Sequence, residues 1–98
     1  MPTYVSLLNW TEQGVKNFKD SVDRYESGRE ALGKVGLQFR DTYWTLGPYD
    51  IVTIGEAADD ETASAAVLAL AAQGNVRSVS MRAFNSEEMR RVIERATG

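Results

Sequence analysis

The feature that most constrains the fold of this chain is a turn between two strand-like runs, at residues 45–52. Its sequence is Thr-Leu-Gly-Pro-Tyr-Asp-Ile-Val, and strand-forming residues precede and follow it. Proline fixes φ and glycine tolerates the backbone angles of a tight connection, so Gly47 and Pro48 predict a hairpin. Its two strands are expected at residues 37–44 and 49–57.

Hydrophobic periodicity assigns the elements before the hairpin. Residues 4–10 combine β-branched and aromatic side chains in partial alternation, which predicts a first strand. Thr11 then offers a hydroxyl that can cap a helix, and the apolar residues after it recur at helical spacing. We therefore expect one helix from Thr11 to the early thirties, with an end weakened by Gly28 and Gly33.

Two more helices and a strand are predicted after the hairpin. The acidic run at residues 59–61 supplies a cap and first-turn negative charge for a second main helix, which Gly74 closes. Residues 76–84 predict a fourth strand. Asn85 and Glu88 have the spacing of a capping box, which predicts a final helix.

The order β-α-β-β-α-β-α specifies the architecture, because two β-α-β units with right-handed crossovers are joined by a hairpin. The expected fold is α+β: a four-stranded antiparallel sheet with spatial order 4-1-3-2 and both main helices on one face. A chain of 98 residues has room for one core, so residues 1–98 are expected to form a single domain.

Side-chain alternation divides the strand residues between the two faces of the sheet. The residues expected to face the helices are mainly aliphatic: Val5, Leu7, Leu37, Phe39, Val52, Ile54, Val79 and Met81. Those expected on the opposite face combine aromatic rings, hydroxyls and guanidinium groups: Tyr4, Ser6, Leu8, Trp10, Gln38, Arg40, Thr42, Trp44, Tyr49, Ile51, Thr53, Ser78, Ser80, Arg82 and Phe84. Because such a face is too aromatic to stay in water, we expect a second copy to stack on it in a two-fold dimer.

Three short motifs resemble those of the GYD family of small bacterial proteins. They are Thr-Glu-Gln-Gly at residues 11–14, Gly-Pro-Tyr-Asp at residues 47–50 and Gly-Asn-Val-Arg at residues 74–77. Their order and spacing together are specific, and the likeness extends over nearly the whole chain. The resemblance implies a ferredoxin-like domain related to the dimeric α+β barrels, in a family whose members mostly have no assigned biochemical role.

The residues of these motifs are expected to hold the fold together: Gly14, Gly47, Tyr49, Asp50 and Gly74. In the predicted topology the end of the first strand, the start of the first helix and the start of the third strand lie at the same end of the domain. We expect Asp50 to accept hydrogen bonds from the first-turn amides of that helix, and Gly14 to let the hairpin approach closely. A catalytic Asp50 is the alternative.

Composition excludes several function classes. Fourteen acids against eleven bases give a net charge of −3, which disfavours binding to nucleic acid. Without histidine or cysteine there is no imidazole-based triad, no thiol nucleophile and no His- or Cys-ligated metal site, so we expect neither a metal nor a cofactor. The chain shows no secretory leader pattern, and its apolar runs are far shorter than the roughly 18 residues of a membrane span. We expect a cytoplasmic protein that does not bind membranes.

Two function classes remain, and the first is a binding module without catalysis. In this class the chain forms a homodimer, or a higher oligomer, which binds a small anionic or aromatic ligand over the sheet or serves in assembly. The residues expected to bind that ligand are Tyr4, Trp10, Arg40, Trp44, Tyr49 and Arg82. A structural ion pair with an acid of the other subunit is the alternative role for each arginine, because buried arginines must be paired whatever the function.

The second class is catalytic and follows from the resemblance to the dimeric α+β barrels. It implies a cofactor-independent monooxygenase or isomerase that works in the pocket over the sheet. Since histidine is absent, the candidate bases are Tyr4, Tyr49 and Asp41.

Overall fold

The computed structural model describes residues 1–98 as four strands, four α-helices and one 3₁₀ turn. In chain order these are β1 (Thr3–Trp10), α1 (Glu12–Lys16), the 3₁₀ turn (Phe18–Asp20), α2 (Ser21–Lys34), β2 (Gln38–Trp44), β3 (Ile51–Glu56), α3 (Asp60–Ala72), β4 (Val76–Ala83) and α4 (Ser86–Thr97).

The four strands form one antiparallel sheet in the spatial order β2-β3-β1-β4. This order confirms the predicted α+β architecture and its 4-1-3-2 sheet. β1 is a central strand, and its Leu7 lies opposite Val52 of β3 on one side and Val79 of β4 on the other. No helix is both long enough and apolar enough to span a bilayer.

The first helix is interrupted, contrary to the single helix that the periodicity predicts. α1 ends at Lys16, and Asn17 adopts φ −107° and ψ 32° before the 3₁₀ turn and α2 follow. The guanidinium of Arg24 stabilises the break, because it donates to the carbonyl oxygens of Asn17 at 2.6 Å and Gly14 at 3.2 Å. Both carbonyls also accept a backbone hydrogen bond, Gly14 from the Asn17 amide and Asn17 from the Asp20 amide, so Arg24 supplies a second donor to each.

A bulge in β2 changes which of its side chains share a face. Phe39 lies opposite Gly55, but the next pair is Asp41 with Ile54, so Arg40 is the extra residue. As a result Phe39 and Thr42 both face the helices although three positions separate them. Simple alternation predicts opposite faces for these two residues.

In β1, β3 and β4 the two faces of the sheet are the reverse of the sequence-based assignment, whereas Leu37 and Phe39 lie on the helix-facing side as predicted. Tyr4, Leu8 and Thr53 are buried beneath the chain's own helices, whereas Val79 and Met81 are 52% and 42% exposed.

Two of the aromatic side chains find a polar partner on a helix, since the Tyr4 hydroxyl donates to Asp60 and Trp44 Nε1 donates to Ser21 Oγ. The buried Trp10 Nε1 and Thr42 Oγ1 have no hydrogen-bond partner. Tyr4 also packs in one core cluster with Leu32, Leu37, Ala57, Ala63 and Ala66.

The helix-free side of the sheet carries a patch that we call the aliphatic face. It consists of Val5, Leu7, Val52, Ile54, Val79 and Met81. Strand register arranges these side chains in two rows across β3, β1 and β4: Ile54, Val5 and Met81 in one row, and Val52, Leu7 and Val79 in the other. No element of the chain covers this patch.

The interior of the chain is small. No large side chain is fully buried, and the molecule measures 52 × 30 × 18 Å along its principal axes. α4 begins with the predicted capping box between Asn85 and Glu88, and then makes only sparse contacts with the other elements. Its apolar residues Met89, Val92 and Ile93 are therefore exposed.

Candidate functional site

An open cleft of about 560 Å³ lies between α3 and the helix-facing side of the sheet. Its volume is in the range of small-molecule sites. The residues that line it come from all four strands, from α3 and from the residue before β2: Tyr4, Ser6, Leu37, Phe39, Thr53, Gly55, Asp60, Ala63, Ser64, Val67, Leu68, Ser80 and Arg82. This cleft is formed within one chain on the helix-facing side of the sheet, whereas the sequence predicts a ligand cavity between two copies over the helix-free side.

Register explains why the cleft is open. On the helix-facing side, Thr53, Ser6 and Ser80 form one row across β3, β1 and β4, which we call the hydroxyl row. Their side chains are small and leave the space between the sheet and α3 unfilled. The Ser6 and Ser80 hydroxyls are 2.8 Å apart and hydrogen-bonded to each other. The floor of the cleft is therefore polar, while Phe39 and Leu37 make one end apolar.

Tyr4 links the floor of the cleft to the start of α3. Its hydroxyl donates a hydrogen bond of 2.5 Å to Asp60 Oδ1. Burial, together with this hydrogen bond to Asp60, raises the pKa of Tyr4 to about 12. Tyr4 is thus a neutral hydrogen-bond donor at physiological pH and a poor candidate for a general base.

Arg82 lies at the β4 side of the cleft. Its guanidinium is 4.4 Å from the ring centre of Phe84 and 5.9 Å from that of Tyr4, which are cation–π distances. It also donates to the carbonyl of Ala83, and its Nη2 lies 3.7 Å from Glu88 Oε2. The hydrogen bond from the Asn85 amide holds the pKa of Glu88 below its ordinary value, and the charge of Arg82 lowers it further. Arg82 is therefore held in place by its own chain.

The other residues predicted to bind a ligand do not line the cleft and lie apart from one another. Arg40 protrudes at the edge strand β2 and pairs with Glu56 at 3.1 Å, which raises the pKa of Arg40 and lowers that of Glu56. Trp44 donates from Nε1 to Ser21 Oγ at 2.9 Å and lies edge-on against Tyr25. Trp10 lines a separate small cavity under α2. Of the predicted set, only Tyr4 and Arg82 line the cleft.

Tyr49 and Asp50 lie in the connection between β2 and β3, outside the cleft. The Tyr49 carbonyl accepts a hydrogen bond of 2.6 Å from the Thr45 hydroxyl. Asp50 Oδ2 accepts from the backbone N–H of Trp10 at 2.9 Å, and the Asp50 amide donates to the Leu8 carbonyl at 2.9 Å. The partner of the Asp50 carboxylate is thus the last residue of β1, and not the first turn of α1 as the sequence predicts.

Gly14 permits a close contact, but with a different segment from the predicted hairpin. A Cβ atom at this position would overlap the Asn75 carbonyl oxygen and lie 2.9 Å from its carbonyl carbon. The Thr11 amide donates to the same Asn75 oxygen at 3.0 Å, and the Thr11 hydroxyl donates to the Gly74 carbonyl at 2.6 Å. The first and third motifs therefore bind each other, with Gly74 at φ +81° forming the turn.

The sequence reasoning missed several residues of the cleft. The sequence predicts Asp60 only as part of the acidic start of a helix, whereas its carboxylate also accepts the hydrogen bond from the Tyr4 hydroxyl. The alternation correctly predicts Phe39 and Leu37 on the helix-facing side, but it predicts the hydroxyl row on the opposite face. The sequence feature that could have indicated the cleft is the presence of small hydroxyl residues at matching positions of three neighbouring strands, namely Thr53, Ser6 and Ser80.

Comparison with known proteins agrees with the motifs and the topology. The sequence model of the GYD domain matches residues 4–93. The chain belongs to the GYD family. A Thermus thermophilus protein named "Glutamine synthetase and cystathionine beta-lyase binding protein" is 32% identical to this GYD protein over 85 residues, which are 86% of this chain and 90% of that protein.

A solved structure shares the fold. The crystal structure of TTHA0845 from Thermus thermophilus has a TM-score of 0.56 against this GYD protein at 24% sequence identity. The match covers 88% of this chain and 96% of that chain. The fold of this GYD protein is therefore one that an experimental structure already contains.

Proposed function

We propose that this GYD protein is a homodimeric binding module without catalytic activity, and that it binds other proteins. The observation that carries the proposal is the aliphatic face, whose six side chains form two rows on the helix-free side. Val79 and Met81 are exposed, and the other four side chains are half-buried. Exposed apolar patches of this kind mark interaction sites, because burying them removes apolar surface from water. We expect the dimer to bury on the order of 1,200–2,000 Å² in total.

The charges around the aliphatic face favour a second copy as its occupant. On the same face as the two rows, Glu56 lies beside the Thr3 end of β1 and Arg77 lies beside the Asn9 end. When two copies stack with their strands antiparallel, the Glu56 end of one copy lies over the Arg77 end of the other. Glu56 also pairs with Arg40 of its own chain, so this contact fixes the orientation of a two-fold dimer more than it adds affinity.

The proposal of a protein partner is supported by the relative that is named as a binding protein for two enzymes. α4 offers a surface for such a partner, since its apolar residues Met89, Val92 and Ile93 are exposed along one side of a helix. An amphipathic helix with an unpaired apolar side is a common docking element in protein complexes. Glutamine synthetase and cystathionine β-lyase are therefore the first partners to test.

A direct binding experiment tests this function. The purified GYD protein is immobilised and exposed to glutamine synthetase and cystathionine β-lyase from the same source organism, with an unrelated oligomeric enzyme as the control. We expect a dissociation constant on the order of micromolar or tighter for at least one of the two. A Val92→Glu variant should weaken that binding while the dimer remains intact. Absence of binding to both enzymes by a folded dimer would contradict the proposed partner class.

The catalytic alternative has less support from the geometry. Its three candidate bases lie apart: Tyr4 at the cleft, Asp41 beside Ile54 on the helix-free side of β2, and Tyr49 in the connection before β3. Only Tyr4 lines a cavity, and its raised pKa keeps its proton in place. Turnover of a phenolic or quinone substrate that is lost in Tyr4→Phe would favour an enzyme over the binding module.

A further inference from the structure

The cleft under α3 divides into an apolar end and a charged mouth. In one row across the sheet, Phe39 of β2, Gly55 of β3, Tyr4 of β1 and Arg82 of β4 follow one another. Phe39 is an apolar wall at one end, Gly55 leaves space next to it, and Arg82 is a cation at the other end. A ligand that fills this row must be apolar at one end and charged at the other.

The mouth of the cleft carries charges of both signs. Asp60 begins α3 above the sheet, and both its carboxylate and the Arg82 guanidinium contact the Tyr4 side chain. Tyr4 occupies Asp60 Oδ1 and leaves Oδ2 free to accept another hydrogen bond. Arg82 has five N–H donors and uses only some of them on Ala83 and Glu88. One anionic and one cationic group therefore remain available at this mouth, each next to the Tyr4 side chain.

We propose that this cleft binds a free α-amino acid with an apolar side chain. The α-carboxylate would bind Arg82, the α-ammonium would bind Asp60, and the side chain would lie against Phe39, Leu37 and Val67. A simple anion would be repelled by Asp60, and a simple cation by Arg82, so the pair selects a zwitterion. The hydroxyl row beneath supplies further hydrogen bonds to the polar end. This site is independent of the dimer and of any protein partner.

Calorimetric titration with matched ligands tests the proposal. The probes are L-leucine and L-phenylalanine, together with two analogues of leucine that each lack one charge: 4-methylpentanoate and isoamylamine. The zwitterions should bind at least about tenfold more tightly than either analogue. If 4-methylpentanoate binds as tightly as L-leucine, the role of Asp60 is refuted. If no amino acid binds to the folded wild type, the proposal fails.

Substitutions distinguish a specific loss of ligand binding in the cleft from a general loss of folding. Asp60→Asn and Arg82→Gln should each weaken L-leucine binding at least about tenfold. Glu61→Gln and Arg29→Gln are the matched controls, because both side chains are exposed and lie outside the cleft, and these variants should bind normally. Ser80→Leu fills the hydroxyl row without removing a charge and should also block binding. Retained binding in Ser80→Leu, with circular dichroism showing a folded protein, would overturn the assignment of the cleft.

Discussion

At the scale of single residues, two glycines of the same chain are under opposite constraints. Gly14 is in contact with the backbone of Asn75, so an alanine methyl group there must push two segments apart. Gly28 lies in the middle of α2, and nothing lies within 4 Å of the position that a Cβ would take. The first glycine is required by packing, and the second only weakens a helix.

Replacing each of these glycines with alanine should therefore change stability in opposite directions. We expect Gly14→Ala to lower the free energy of unfolding by about 1–3 kcal/mol or more, since backbone must move. Gly28→Ala should raise it by about 0.5–1 kcal/mol, because alanine favours the helix. Urea unfolding of both variants measures the difference. A Gly14→Ala protein as stable as wild type would contradict the close contact between the first and third motifs.

Because of Tyr4, the stability of the fold is expected to fall as the pH rises through the alkaline range. Its pKa is raised from the ordinary value of 10.0 to about 12 in the folded chain, so the folded state holds the proton more tightly than the unfolded state. This contribution to stability is fully present below pH 10 and is lost as the pH rises through about 12. An ultraviolet titration that follows the formation of tyrosinate should show one tyrosine that ionises at a higher pH than the others, near pH 12.

The matched variant for this prediction is Tyr4→Phe, which keeps the ring and removes the hydroxyl. It should lose the late tyrosinate phase and show a smaller fall in stability between pH 10 and 12. If the late phase persists in Tyr4→Phe, the environment assigned to Tyr4 is wrong.

At the scale of elements, Asp50 joins the β2–β3 connection to β1. Its carboxylate accepts from the Trp10 amide, and its own amide donates to Leu8, so one residue extends the pairing of β3 with β1 beyond the last strand pair. The position combines a side-chain and a main-chain bond to the same strand. That arrangement accounts for an aspartate in this position without a catalytic role.

Removal of the Asp50 carboxylate should destabilise the fold. Asp50→Ala leaves the Trp10 N–H without its acceptor and should lower the free energy of unfolding by about 1–3 kcal/mol. Asp50→Asn keeps a side-chain oxygen and should cost less, about 0.5–1.5 kcal/mol. Chemical denaturation compares the three proteins. Unchanged stability in both variants, accompanied by loss of an activity, would favour the catalytic interpretation of Asp50.

The sequence predicts the elements and their order well, because periodicity and turn residues are local signals. The hairpin, the sheet order and the capping box of α4 all follow from such signals. The break after α1 does not, because it depends on Arg24 reaching back to carbonyls seven and ten positions earlier. The bulge at Arg40 is likewise invisible, since strand propensity does not reveal an unpaired residue.

At the scale of the whole molecule, the alternation of side chains along the strands does not determine which face of the sheet the helices cover. Both faces contain large apolar residues, so the helices could pack on either. The structure places the helices over Tyr4, Leu8 and Thr53, and the cleft then forms where the small side chains of the hydroxyl row leave space below α3. The sequence predicts Tyr4 and Arg82 as ligand-binding residues. It places α3, which completes their cleft, on the other side of the sheet.

This reversal changes the surface on which a second copy is expected to stack. The dimer proposed from the sequence used a mixed aromatic and polar face, whereas the uncovered face in the structure is aliphatic. An aliphatic face has the stronger reason to be buried, because it offers water almost no hydrogen-bonding groups. The small core of the single chain also favours burial of this face by a second copy.

The most direct test of the account is the mass of the protein in solution, measured by light scattering during size-exclusion chromatography. Wild type should have twice the 10.8 kDa mass of one chain. Val79→Lys places a charge in the aliphatic face and should give a folded monomer, whereas the control Leu46→Lys, in the exposed hairpin connection, should remain a dimer. A wild-type monomer at micromolar concentration, or a Val79→Lys dimer as tight as wild type, would contradict burial of this face by a second copy.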